Sequence, residues 1–184
     1  MIEPRRKEGV VVPPMSEAAI AGLAGMVRRT VQQDGVKLFP IVLLYEMLCI
    51  FDDAARFEVI EDQKMGDDDA RTYPDRGLIL LRESVYNGAA RGAGRPRFTM
   101  AHELGHLVLH RGVSFNRVNP EAPPKIFRNS EWQSDVFSSH LLMPTHLVAD
   151  YRDPEIVARD FGVSYWAAEI RLAKMKKGTM KQAS

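Results

Sequence analysis

The segment RFTMAHELGHLVLH, residues 97–110, holds three of the five histidines of this 184-residue chain. Its apolar residues recur at steps of three and four, which predicts a helix from about residue 96 to His110. On a helix, His102 and His106 share one face, with Cβ atoms about 5–6 Å apart. Two imidazoles at that spacing can bind one metal ion, at about 2.0–2.1 Å per bond for zinc. The spacing therefore predicts a metal site with His102 and His106 as ligands.

Glu103 and Gly105 complete the motif His-Glu-x-x-His. Glu103 lies beside the metal rather than on it, where a carboxylate can act first as general base and then as general acid. Gly105 lacks a Cβ and lets another element approach closely, whereas stability alone would favour Ala by about 1 kcal/mol. Burying two histidines and a glutamate on an apolar helix is costly without a partner, and a metal ion supplies one. The motif predicts a Zn²⁺ site with Glu103 as the candidate catalytic residue beside it, although the motif alone does not name the reaction.

The segment SEWQSDVFSSHLLMP, residues 130–144, offers the third protein ligand that zinc hydrolases generally use. It is predicted to be a helix over about 129–143, joined to the first helix by a loop over 113–128 and antiparallel to it. We assign Glu131 as the third ligand. Asp135 shares its face at i+4 and is expected to hold the free N–H of a ligand histidine.

Helical geometry places the remaining histidines away from the ligand positions. His110 lies two turns after His102 and is rotated off the ligand face, so we interpret it as supporting the site or lying on the surface. His140 lies on the side of its helix opposite Glu131, and His146 follows the end of that helix. Neither is expected to bind the metal directly.

The net charge and the cysteine content limit which binding partners and which cellular compartment we expect for this protein. The formal net charge is only +1, so no global field indicates binding to nucleic acid or membrane. The single Cys49 lies among apolar residues and cannot form an intrachain disulfide, which indicates a reducing compartment. The N-terminus lacks a signal-peptide core, and the longest apolar run, about residues 40–51, is too short to span a bilayer. We expect a cytoplasmic protein without membrane association.

Helices and short strands alternate along the rest of the chain, which predicts an α+β fold. Ser16 is a predicted N-cap for a helix to about residue 34, and a second helix is predicted over about 40–50. ARFEVIED (55–62) and GLILLR (77–82) are predicted strands, and GAARGAGRP (88–96) a flexible connector that could act as a lid. The domain boundaries follow: a flexible N-terminal arm over 1–15, one domain over 16–176 with a C-terminal helical part from about 145 to 176, and a tail over 177–184.

Two short helices joined at Gly162–Val163 are predicted within residues 153–177, with Ser164 as a cap. This helix-turn-helix shape could suggest reading of DNA. Its exposed face carries charges of both signs, however, and Phe161 and Trp166 are typical packing residues. We therefore expect no direct contact with nucleic acid.

RFTMAHELGHLVLH, EWQSDVFSSHLLMP and VARDFGVSYWAAEIRL together resemble the ImmA/IrrE family of bacterial and prophage zinc metallo-endopeptidases, over roughly residues 35–175. The resemblance implies a zincin-like α+β fold, with a small antiparallel sheet packed against the active-site helices and further helices at the C-terminus. GLILLR would be the strand beside the cleft, with a free edge for an extended peptide. Many family members carry Glu at the position of Gln133, so the third ligand lies there or at Glu131. The similar pattern of unrelated gluzincins favours Glu131.

The resemblance also implies a function. Family members typically cleave a helix-turn-helix repressor and so derepress mobile-element or stress genes, and some act with it as toxin and antitoxin. Here the repressor would be a separate protein. The alternative is a regulatory module that binds a repressor partner and carries a structural or degenerate metal site. Tyr73, Tyr86 and Arg97 are candidate donors to the developing oxyanion in a peptidase.

Overall fold

A computed structural model of the chain describes residues 9–113 and 125–182. Nine α-helices and three strands follow one another within these ranges, and they confirm the predicted α+β class. In chain order they are α1 (Glu17–Thr30), α2 (Ile41–Glu46), α3 (Leu48–Phe51), β1 (Arg56–Ile60), β2 (Ala70–Tyr73), β3 (Leu78–Arg82), α4 (Glu83–Ala90), α5 (Gly94–His110), α6 (Ser130–Leu142), α7 (Thr145–Val148), α8 (Pro154–Phe161) and α9 (Tyr165–Gln182).

The sheet is mixed, with the strand order β1-β3-β2. A tight turn at Pro74–Arg76 joins β2 to β3 and makes that pair antiparallel. The longer connection between β1 and β2 leaves space for β3 to enter between them, parallel to β1. The expectation of an antiparallel sheet is therefore right for one strand pair and wrong for the other.

The central position of β3 corrects the prediction that GLILLR has a free edge. Both edges of β3 are occupied, by β1 on one side and β2 on the other. The two edge strands of the sheet are β1 and β2, and β2 packs against α5. Its sequence ARTY is short and follows three aspartates, so neither its length nor its polarity indicated a strand.

The glycine-rich segment 88–96 is not a flexible connector or a lid. It contains the end of α4, a tight turn and the start of α5. Its glycines serve close packing: a Cβ on Gly88 would lie 2.8 Å from Pro96 Cγ, and one on Gly94 would lie 2.3 Å from the backbone carbon of Val163. The glycines thus hold three helical segments together.

Residues 9–15 are not a loose arm either. Val11 forms an antiparallel bridge with Asn129, and Val12 N donates to Arg128 O at 2.9 Å. Val12 is also buried, at 2% exposure. This part of the N-terminal segment therefore lies against the residues that lead into α6. Residues 1–8 of the expected arm lie outside the described residues.

The predicted helix ends agree with the structure where a cap defines them. Ser16 Oγ accepts from Ala19 N at 3.2 Å at the start of α1, although α1 ends at Thr30 rather than near residue 34. Asn129 caps α6 by accepting from Trp132 N at 3.0 Å.

The C-terminal tail differs from its prediction, and most of the predicted loop before α6 cannot be compared with the structure. α9 is a single long helix that continues to Gln182, through most of the expected tail. Residues 114–124 of the predicted loop lie outside the described residues, whereas Ile126–Arg128 form a 3-10 turn. No helix within the described ranges is both long enough and apolar enough to cross a bilayer.

Buried arginines join the helices around α5 and α6. Each donates to backbone carbonyls, which satisfies polar groups that the core removes from water. Arg28 donates to Leu141 O at 2.6 Å, Arg97 to Phe39 O at 2.7 Å and Gly162 O at 2.8 Å, and Arg171 to Met143 O at 3.1 Å.

Helices α5 and α6 lie close together at Gly105. A Cβ at this position would lie 3.2 Å from Ser134 Cα and 3.2 Å from a ring carbon of Phe137. The expectation that Gly105 admits a neighbouring element is confirmed, and that element is α6.

Gly105→Ala is expected to lower the free energy of unfolding by about 1–3 kcal/mol, because backbone atoms of α6 cannot move aside as a flexible side chain can. Gly22→Ala is the matched control: Gly22 lies within helix α1 with nothing near its missing Cβ. That variant should gain about 0.5–1 kcal/mol from helix propensity. Urea denaturation of both variants measures the difference, and a stabilised Gly105→Ala would contradict the close-packing argument.

Candidate metal centre

Three side chains from α5 and α6 converge where the two helices pack together. His102 Nε2 lies 3.0 Å from His106 Nε2, because the two rings lie one helical turn apart. Glu131 Oε2 lies 3.2 Å from His102 Nε2, and Glu131 Oε1 lies 3.2 Å from His106 Nε2. The three residues are partly buried and form a group that could hold a metal ion. The structure thus brings together the three residues predicted as ligands.

The donor set fits a metal ion. Two imidazole nitrogens and a carboxylate that turn their lone pairs toward one point repel each other unless a cation or a shared proton lies among them. Tetrahedral ligands with bonds of about 2.0–2.1 Å are about 3.3–3.4 Å apart. The separations of 3.0–3.2 Å between these ligand atoms are close to that value.

The electrostatics of this group favour a positive charge. Burial opposes a charged His102, yet its hydrogen bonds to Asp135 and Glu131 raise the pKa of this ring to about 10. Burial alone would raise the pKa of Glu131, but its contacts with His102 and His106 hold that pKa well below its usual value. The site therefore stabilises a cation, which in a protein without metal is a proton on the imidazole.

Asp135 lies one turn after Glu131 and reaches the other nitrogen of the first ligand. Its Oδ1 is 2.9 Å from His102 Nδ1. When Nδ1–H donates to this carboxylate, the Nε2 of His102 keeps its lone pair for a metal ion. The structure places Asp135 where the i+4 spacing predicted it.

Gln133 lies outside the ligand group, although the family resemblance left it as an alternative to Glu131. Its amide oxygen is 3.1 Å from His110 Nε2, and its amide nitrogen donates to two backbone carbonyls.

His110 is buried and its Nδ1 lies 3.1 Å from His106 Nδ1. Burial and the neighbouring His106 lower the pKa of His110 to about 4, so the ring is neutral near pH 7. The sequence left open whether His110 supports the site or lies on the surface. The structure places it beside the site, in contact with His106.

The carboxylate of Glu103 contacts the edge strand β2. This carboxylate is buried, and Thr72 Oγ1 donates to its Oε2 at 2.6 Å. Sequence reasoning missed Thr72 because it missed the strand. The alternation in ARTY, which puts Ala70 and Thr72 on one face, was the available signal.

Two of the three candidate oxyanion donors are engaged elsewhere. Arg97 donates to backbone carbonyls of the core, and Tyr86 donates to a carboxylate oxygen of Glu46 at 2.5 Å. Tyr73, on the edge strand, accepts from Arg71 at 3.4 Å. Because successive side chains of a strand alternate, Tyr73 shares a face with Arg71 and not with Thr72, the residue that contacts Glu103.

The other two histidines lie away from the metal centre, as the helical geometry predicted. His140 contacts Glu17 and the buried Arg171 on the far side of α6. His146 is 3.1 Å from the backbone oxygen of Asp34.

Comparison with known families shows which family this chain resembles. The model of the Peptidase M78 family, described as the IrrE N-terminal-like domain, matches residues 55–173, which is more than half of the chain. This range contains α5, α6 and the three strands of the sheet. No curated protein matches the chain.

Glu131→Gln and His102→Ala are each expected to weaken zinc binding by more than about 100-fold, because loss of a residue that merely supports a ligand already costs about 10–100-fold. Metal content by emission spectrometry and competition with a chelator measure the effect. Glu169→Gln, an exposed change on α9, is the control and should keep about one equivalent of zinc. Full metal binding by Glu131→Gln would remove that residue from the ligand set.

The metal-free protein is expected to lose stability as the pH rises from about 6.5 toward 10. The folded pKa of His102, about 10, lies above its unfolded value of 6.5. Its contribution is therefore complete below pH 6.5 and disappears as the pH passes through 10. Denaturation in the presence of a chelator at several pH values measures this decline, which His102→Gln should lack. An equal decline in both proteins would contradict the assignment.

Proposed function

The chain belongs to the Peptidase M78 family, and from this premise we propose that it is a zinc-dependent endopeptidase. One observation supports the proposal above all. The ligand atoms of His102, His106 and Glu131 lie within 4.8 Å of one another, and the buried carboxylate of Glu103 lies close enough for its charge to raise the pKa of His102. A structural zinc site has no need of this additional acid.

The chain's own residues supply acid–base chemistry at this place. A zinc ion held by the three ligands would polarise the scissile carbonyl and acidify water as a Lewis acid. Glu103 takes one proton from the attacking water while the oxygen of that water bonds to the carbonyl carbon. Glu103 then gives a proton to the amine nitrogen as the C–N bond breaks. Thr72 holds one carboxylate oxygen of Glu103, which leaves the other free for proton transfer.

The edge strand β2 is the proposed place for the substrate backbone. β3 occupies one side of β2, and no strand among the described residues occupies the other. Thr72 joins this strand to Glu103, so an extended peptide paired with β2 would run beside the general base. This replaces β3, the strand first expected at the cleft.

The proposed substrate is a helix-turn-helix repressor, a separate protein whose cleavage would derepress mobile-element or stress genes. The sequence resemblance described above supports this choice. The low net charge of the chain agrees with a protein substrate, since no basic field would draw it to nucleic acid.

Glu103→Gln is expected to lower kcat for cleavage of a repressor encoded beside this chain by about 10²–10⁴-fold, because the amide cannot accept the proton. Zinc content should stay at the wild-type level, since Glu103 is not among the grouped ligands. Electrophoresis of the repressor over time measures cleavage. Glu58→Gln, on the exposed part of β1, is the matched control.

The same assay separates the peptidase from the binding module. If Glu103→Gln binds the repressor and relieves repression as well as the wild type does, the alternative function is correct. If wild type leaves the repressor and an unfolded model substrate intact while holding zinc, the endopeptidase proposal is wrong.

Thr72→Val is expected to lower kcat by about tenfold, since a hydrogen bond to a charged group contributes about 1.5–3 kcal/mol. Thr72→Ser keeps the hydroxyl and should stay close to wild type. KM should change little in either variant, because the hydroxyl proton is engaged by the carboxylate rather than by the substrate. Equal loss in Thr72→Val and Thr72→Ser would assign the effect to packing instead.

A further inference from the structure

The side-chain amide of Gln133 has only one orientation that satisfies its neighbours. One end lies 2.9 Å from Pro13 O and 2.9 Å from Phe127 O, which are both acceptors only. That end is therefore the NH₂ group, which uses both of its protons on these carbonyls. The opposite end is the carbonyl oxygen, and it can only accept.

The orientation of Gln133 determines the proton of His110. His110 Nε2 faces the Gln133 oxygen at 3.1 Å, so Nε2 carries the hydrogen and donates it. A neutral imidazole has a single N–H, so Nδ1 of the same ring carries a lone pair. The buried position of His110, at 1% exposure, favours the neutral ring.

The lone pair of His110 in turn determines the proton of His106. The two Nδ1 atoms lie 3.1 Å apart, so His106 Nδ1 carries the hydrogen and donates it to His110. The Nε2 of His106 is then unprotonated, and this is the atom that faces His102 and Glu131. In every hydrogen bond of this series, from His106 through His110 and Gln133 to the backbone carbonyls, the donor is the group nearer to the metal ligands.

We propose that His110 and Gln133 are positioning residues that fix the metal-binding tautomer of His106 and anchor its ring to the backbone of the N-terminal segment. This inference rests on the proposed metal site, since a tautomer of His106 matters only if Nε2 binds a metal ion. The series ends at two carbonyls, of which that of Phe127 is itself held in place by a second hydrogen bond. Phe127 O also accepts from Met15 N at 3.1 Å.

The two ligand histidines are thus supported by different physical means. His102 donates to Asp135, whose side chain is 51% exposed and whose charge water screens. His106 donates into a buried series of neutral groups, where a reversed or missing partner is costly. His106 is therefore the ligand whose geometry depends on residues 9–15 of the chain.

Gln133→Met tests the series, because the thioether cannot donate to the two carbonyls or accept as an amide oxygen does. The zinc affinity of the full-length protein, measured by chelator competition, is expected to fall about 10–100-fold. Ser138→Ala is the matched control: Ser138 is buried on the same helix and its hydroxyl donates to Ser134 O, one turn earlier, so its variant should bind zinc as wild type does. Thermal denaturation without metal corrects for any loss of stability.

A double-variant cycle distinguishes the series from general destabilisation. Because Gln133 acts on the metal only through His110, zinc binding should be no weaker in His110→Phe/Gln133→Met than in His110→Phe alone. Additive losses would overturn the inference.

The wild-type protein provides a test that needs no variant. Nitrogen-15 NMR of the histidine rings in the zinc-loaded protein should show His110 protonated at Nε2 and unprotonated at Nδ1. The reverse tautomer, or a doubly protonated ring, would overturn the inference.

The outcomes separate this inference from the proposed function. Zinc bound equally well by wild type, Gln133→Met and His110→Phe, but lost in His102→Ala, would overturn the series and leave the metal site in place. Absence of zinc binding in the wild type would overturn both.

Discussion

The close contact between α5 and α6 at Gly105 is the constraint on which the rest of the molecule depends. His102 and His106 come from one of these helices and Glu131 from the other, so their separations of 3.0–3.2 Å exist only while the helices touch. A Cβ at Gly105 would meet backbone atoms of α6 at 3.2 Å. The helix gives up propensity of about 1 kcal/mol at this position, and the metal centre gains a carboxylate within reach of two imidazoles.

The concentration of polar groups at this contact gives the site its chemical character. Two imidazoles and a carboxylate hold a positive charge, which is seen in the raised pKa of His102 and the lowered pKa of Glu131. Around them, further polar groups each orient one residue by a hydrogen bond: Asp135 orients His102, Thr72 orients Glu103, and Gln133 orients His110. A group of ligand atoms that favours a cation, surrounded by hydrogen-bond partners that fix its side chains, is the arrangement expected of a hydrolytic metal site.

Segments that resemble flexible connections in the sequence turn out to support this arrangement. The glycines of residues 88–96 permit α4, α5 and the turn before α9 to approach one another, and residues 9–15 pair with the residues that lead into α6. Glycine and proline indicate loops because they break regular structure, yet the same residues are also needed where two backbones come close. Composition cannot distinguish these two uses, since the difference lies in what stands opposite the missing side chain.

The sequence by itself determined the helix of His102, Glu103 and His106, the helix of Glu131 and Asp135, and the α+β class, because these depend on spacing within one segment. Only the tertiary structure decided that β2 rather than β3 forms the edge beside Glu103, and that Gln133 turns from the ligands toward His110. Strand order and the direction of a buried amide depend on partners distant along the chain, such as Pro13, 120 residues before Gln133. Local periodicity carries no information about such partners.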